Sequence, residues 1–158
     1  MLVILRALED ARNMEQTLTL TTKRNRWFLV VPAALIVMIG NVGIHVLYMV
    51  VYSYFINPRQ EMAQYQAHAQ FSGPYSSIIV GMPLMFLVCR WLGRKFAAES
   101  SITAALLVWL VYFLIDLTVV VSAGALREMA LLFVISFATK FAAAYFGGVA
   151  ARKQIRVG

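Results

Sequence analysis

The chain has 158 residues, of which 61% are hydrophobic and only 13% charged, with a mean hydropathy of +0.76 and a formal net charge of +7. A soluble domain of this length has too little polar surface to cover so much apolar material, and four membrane-crossing helices would use most of the chain, which leaves no room for a separate soluble domain. The positive residues flank apolar stretches, where anionic lipid and topology account for them, so nucleic acid is set aside as a partner, and a single cysteine, Cys89, excludes an internal disulfide and a CxxC redox or metal site.

Residues 1–26 precede the first apolar stretch. From Leu2 to Gln16 the spacing of Leu2, Leu5, Leu8 and Ala11, with Glu9, Asp10 and Arg12 between them, predicts a short amphipathic helix on the cytoplasmic face; a frayed tail is the competing reading. Thr17 to Thr22 has no core-forming pattern and reads as a linker.

The first span is expected from Trp27 to Ile56, long enough to cross the ~30 Å of hydrocarbon and too long for the apolar region of a removable signal. Within it Asn41, His45, Tyr48 and Tyr52 recur at steps of four, three and four, which places them on one helix face running from mid-membrane to the outer interface. Tyr48 and Tyr52 also suit the common role of interfacial anchors. Gly40 and Gly43 flank Asn41 and predict a close helix contact there.

Between the first two spans, Asn57 is a good helix N-cap, Pro58 suits the first helical position, Gln60 stands at the capping-box position, and Gly73 with Pro74 gives a stop. These signals predict a short extracytoplasmic helix with Met62, Tyr65 and Ala69 on its apolar side and Gln60, Gln64 and His68 on its polar side. Tyr48, Tyr52, Gln64 and His68 would then line an outer mouth; a helix resting on lipid headgroups is the plainer alternative. The second span is expected from Tyr75 to Val88, kinked at Pro83 beside Gly81, with Cys89 as a packing residue near its end.

The third span, Ile102 to Ala123, and the fourth, Met129 to Ala150, are joined by a short link and should be antiparallel neighbours. Each carries one ionisable group, Asp116 and Lys140. A charge at the bilayer centre costs roughly 2.5–3.5 kcal/mol on insertion scales, so both must be paired, solvated or useful. Side chains lean toward their own helix N-terminus, which aims the two at each other and predicts an intramembrane ion pair. With Tyr112 one turn from Asp116, the expected polar cluster is Asn41, His45, Tyr112, Asp116 and Lys140. Ala143, Gly147 and Ala151 form one ridge of small residues on the fourth span, and Ala144 with Gly148 another, for close packing of a neighbouring helix.

Nine Lys and Arg residues (Lys23, Arg24, Arg26, Arg90, Arg94, Lys95, Arg152, Lys153 and Arg156) flank one side of these spans, against Arg59 and Arg127 on the other. The positive-inside rule therefore puts both termini in the cytoplasm. The expected architecture is all-α: a polytopic four-helix bundle over residues 27–151, followed by a basic tail at 152–158, in a membrane of the bacterial inner type. No metal, cofactor or catalytic set is expected: His45 and His68 lie on different segments, and no nucleophile accompanies Asp116 and His45 at a recognisable spacing. Two functional classes follow. The cluster binds or relays a proton, ion or small polar solute, which four helices alone enclose poorly and which calls for a homo-oligomer or a larger membrane-protein partner; or the Asp–Lys pair is a structural lock in an accessory subunit of a larger membrane-protein complex.

Overall fold

A computed structural model describes residues 26–122, 124 and 126–157, together with Arg12, with the side chains of 126–129 and 157 left aside. The predicted amphipathic segment and linker lie outside these residues, apart from Arg12. Among the described residues the chain is all-helical, with no strand.

Helix α1 spans Val30–Val51, entered through a single tight turn at Trp27–Leu29 and continued by a wider turn at Tyr52–Ile56. Pro32 falls in the first helical turn, where its missing N–H has no intrahelical acceptor to lose. The wide turn closes when the Asn57 N–H donates to the Tyr52 carbonyl at 2.9 Å. Asn57 thus ends the first span instead of capping the next helix. The chain turns through Arg59, whose φ of +66° places a non-glycine residue in the left-handed region.

Helix α2 spans Met62–Ile79 and α3 spans Gly81–Gly93. Together they form one long apolar segment, Met62–Gly93, interrupted only at Val80. A separate short helix with a stop at Gly73–Pro74 is therefore not what forms: α2 runs through both residues. Inside a bilayer, leaving the helix would strand several backbone groups without partners, a cost above the ~3 kcal/mol that proline imposes on one turn. The interruption falls three residues before Pro83, which cannot donate to the Ile79 carbonyl. The Val80 N–H to Ser76 (2.9 Å) and the Leu84 N–H to Val80 (3.2 Å) carry the chain across it.

Helix α4 spans Ser101–Ser122, and Gly124, at φ +68°, makes the turn into α5, Leu126–Val157. At 1.5 Å per residue, the 32 residues of α5 extend about 48 Å, well beyond the hydrocarbon thickness. Four segments, Trp27–Ile56, Met62–Gly93, Ser101–Ser122 and Ala130–Arg156, are long and apolar enough to cross a membrane.

The buried core is confined to one half of the bundle. Val30, Ala33, Ala34 and Val37 of α1 meet Met85, Cys89 and Leu92 of α3, Ala104, Ala105, Val108 and Tyr112 of α4, and Ala143 and Ala144 of α5. This half ends in Arg90, Arg94, Lys95, Arg152 and Arg156, the basic end of the bundle. Cys89 is fully buried there, its thiol facing the Ala105 carbonyl at 3.6 Å, in keeping with a packing role. Side chains such as Ile39, Leu47, Leu131 and Val134 point outward, as lipid contact requires.

Glycines set the helix spacing in this core. A Cβ on Gly147 would lie 2.7 Å from the Phe86 carbonyl oxygen, and one on Gly148 would lie 3.0 Å from the Ile102 Cα, so α5 is approached by α3 on one side and α4 on the other. Ala143, Ala144 and Ala151 are buried along the same helix. A Cβ on Gly40 would meet Leu84 Cδ2 at 2.7 Å, whereas one on Gly43 would find nothing within 4 Å. Gly40 thus lies against a neighbouring side chain, whereas Gly43 is exposed: glycines three apart are rotated by about 60° on a helix, enough to leave a narrow contact.

A polar site in the open half of the bundle

Three cross-helix hydrogen bonds fix the register of α4 against α5. The Ser101 hydroxyl donates to the Gly148 carbonyl (3.0 Å), the Trp109 indole to the Phe137 carbonyl (3.4 Å), and the Lys140 ammonium to the Tyr112 hydroxyl (2.8 Å). In this antiparallel register Lys140 stands opposite Tyr112, one turn from Asp116.

Lys140 is 1% exposed, the largest fully buried side chain among the described residues. Its ammonium donates to the Tyr112 hydroxyl and to the Ser77 Oγ at 2.7 Å, and lies 4.6 Å from the Tyr112 ring centroid. Hydroxyl oxygens and the negative face of an aromatic ring both favour a cation removed from water. Room for the lysine stem comes from Gly81, where a Cβ would lie 2.6 Å from Lys140 Cε. The Asn41 amide donates to the same Ser77 Oγ at 3.1 Å, so one serine ties α1, α2 and α5 together, and Lys140 joins α4 to them through Tyr112.

Asp116 does not complete the expected direct ion pair. Among the described residues no salt bridge joins it to Lys140, whose ammonium is held by Ser77 and Tyr112. The register explains this: Tyr112 occupies the position across from Lys140, and Ser77 of α2 supplies a closer oxygen. Asp116 instead lines a cavity of about 250 Å³ with Asn41, His45, Ser77 and Ser136 among its polar walls. Gly73, Pro74, Val42, Val120, Leu132 and Phe133 close the apolar part. Two shielded polar atoms of the wall residues, Asn41 Oδ1 and His45 Nδ1, have no hydrogen-bond partner. Buried polar atoms are rarely left so, and each would gain from a guest able to donate or accept a hydrogen bond.

Of the five residues predicted to cluster, Asn41, His45 and Asp116 share the cavity wall, while Lys140 and Tyr112 form the adjoining buried pair. Ser77, Gly81 and Ser136 complete the arrangement and carry no sequence signal of comparable strength. Ser136 precedes Lys140 by one turn and is 7% exposed, and Ser77 precedes Gly81 by one turn. Small residues four apart on the same faces as the charges were the available clue.

The residues expected to line an outer mouth form a separate unit. The Tyr48 hydroxyl and His68 Nε2 are 2.9 Å apart, and Tyr52 stacks on the His68 ring at a 3.8 Å centroid distance. The Tyr65 hydroxyl donates to the Asn57 carbonyl at 2.8 Å and accepts from the Gln60 N–H at 3.2 Å. These contacts clamp the end of α1 to the start of α2, so Tyr48, Tyr52 and His68 are engaged with one another and Gln64 is exposed. His45 also lines a second, wider groove of about 690 Å³, between Met49 and Ser53 of the first segment and Met62 and Tyr65 of α2. No group of three or more metal-ligating side chains exists among the described residues.

Four membrane-length helices around a polar centre are compatible with a multi-pass integral membrane protein. Comparison with protein-family models, with curated proteins and with solved structures found no match.

Proposed function

We propose that this is an integral membrane protein, its basic end in the cytoplasm, whose mid-membrane cavity binds and passes on a proton, ion or small polar solute. The observation that carries the reading is the separation of the two charges. A structural lock in an accessory subunit would gain most by closing the Asp116 carboxylate directly onto the Lys140 ammonium. Here Ser77 and Tyr112 hold the ammonium, and Asp116 lines a cavity of about 250 Å³. A carboxylate, an imidazole and an amide around one cavity, backed by a cation, can accept, hold and release a proton or hydrogen-bond a polar guest. His45 borders both the cavity and the wider groove beyond it, which makes it the natural point of entry.

The test is proton uptake by vesicles containing the reconstituted protein and an entrapped pH indicator, under an imposed pH difference. Wild-type protein should speed equilibration, and Asp116→Asn with Lys140→Gln should abolish the effect while the protein remains inserted and monodisperse. Undiminished flux in the double variant, or wild-type vesicles no faster than protein-free ones, would contradict proton relay.

A further inference from the structure

A second polar feature lies at the opposite end of the bundle from the cavity. Beside the first turn of α4, at Ile102, the last turns of α5 open a groove of about 290 Å³ lined by Tyr145, Val149, Arg152, Lys153 and Arg156. These five residues fall at steps of four, three, one and three, so they share one face of α5. Tyr145 and Val149 lie toward the hydrocarbon, and the three cations lie beyond them, where a helix of about 48 Å has passed the end of the apolar layer.

Arg152 is half-buried, and its Nε is shielded from solvent without a hydrogen-bond partner. A guanidinium nitrogen so placed lacks an acceptor, and guanidinium geometry matches phosphate oxygens. The start of α4 adds the positive end of its helix dipole to the same groove, and the Ser101 hydroxyl is spent on the Gly148 carbonyl instead of capping that turn. Nothing acidic lines the groove.

We infer that this groove is a binding site for an anionic phospholipid, its phosphate held by Arg152, Lys153 and Arg156 and the upper part of its acyl chains resting on Tyr145, Val149 and Ile102. A phosphate alone would use the cations and ignore the apolar floor. A lipid uses both, and it arrives from the bilayer at the correct depth. The site is separate from the mid-membrane cavity and does not depend on what that cavity carries.

Native mass spectrometry of the full-length protein in mild detergent, supplied with phosphatidylglycerol or phosphatidylcholine, tests this. Phosphatidylglycerol should be retained in preference to phosphatidylcholine. Arg152→Gln with Arg156→Gln should weaken retention by roughly 25-fold, taking about fivefold for each basic residue near a headgroup. Arg94→Gln with Lys95→Gln removes as much charge from the same end but outside the groove, and should change retention by less than about twofold. Because loss of two cations can also disturb insertion, Val149→Trp provides a second arm: it fills the groove with every charge in place and should also abolish the preference. Equal loss from both charge variants, retention unaffected by Val149→Trp, or displacement of the lipid by millimolar inorganic phosphate would each overturn the assignment.

Discussion

Gly147→Leu is expected to prevent the bundle from assembling, the largest effect of any single substitution in the core. Even a Cβ at this position would lie 2.7 Å from the Phe86 carbonyl oxygen, 3.0 Å from Cys89 Cβ and 3.2 Å from the Arg90 backbone nitrogen. Two of these three are backbone atoms, which cannot swing aside as a flexible side chain can, so α3 and α5 must separate along their whole contact. Overpacking of a core costs about 1–3 kcal/mol, and a leucine against backbone belongs at or above the top of that range. Gly43 is the internal control. With open space around its Cβ position, Gly43→Ala should change stability by no more than about 0.5 kcal/mol, or raise it slightly through alanine's better helix propensity. Thermal unfolding in detergent separates the two. Similar midpoints for both variants would mean that helix spacing is not set at Gly147.

The second large effect concerns Lys140. Burying an ammonium costs several kcal/mol even with partners, so a side chain of similar length without charge should be accepted by the fold. Lys140→Met is expected to leave thermal stability unchanged or higher. Lys140→Ala, which leaves a void between Ser77, Gly81 and Tyr112, should be less stable than the methionine variant by about 2–5 kcal/mol. Both should lower vesicle proton uptake at least tenfold, because the cation that balances Asp116 is gone. A methionine variant with full uptake would show the ammonium to be structural, and one that fails to fold would show it to be indispensable to the bundle.

What was legible in the sequence follows the strength of the physical signal. Span number and approximate position were legible because the bilayer demands long apolar runs, and the juxtaposition of Asp116 and Lys140 on adjacent helices followed from the short link between them. The direct contact did not follow. Leaning side chains narrow a gap of one turn, but the final hydrogen bonds depend on which neighbour offers an oxygen at the right height, and Ser77 lies on a segment whose path past Pro83 no local rule supplies. The stop at Gly73–Pro74 failed for a related reason: turn propensities are calibrated in water, where a broken helix can hydrogen-bond solvent, and that option is lost among apolar helices. That Gly40 meets Leu84 while Gly43 meets no neighbour was not legible, because a glycine count has no direction and a face offset by about 60° decides whether a neighbour is present.

The proposed function depends on Asp116 facing water-accessible polar space inside the bundle. In a Cys89→Ala background, Asp116→Cys and Leu114→Cys place a thiol on the cavity wall and on the outward face of α4 respectively; Leu114 is 53% exposed toward the surroundings of the bundle. A small, charged, water-soluble methanethiosulfonate reagent modifies only thiols that water can ionise. With the protein in lipid vesicles, the cysteine at 116 should be labelled and the one at 114 should not. An unreactive thiol at 116, or equal labelling at both positions, would contradict a polar cavity at this depth and with it the function proposed.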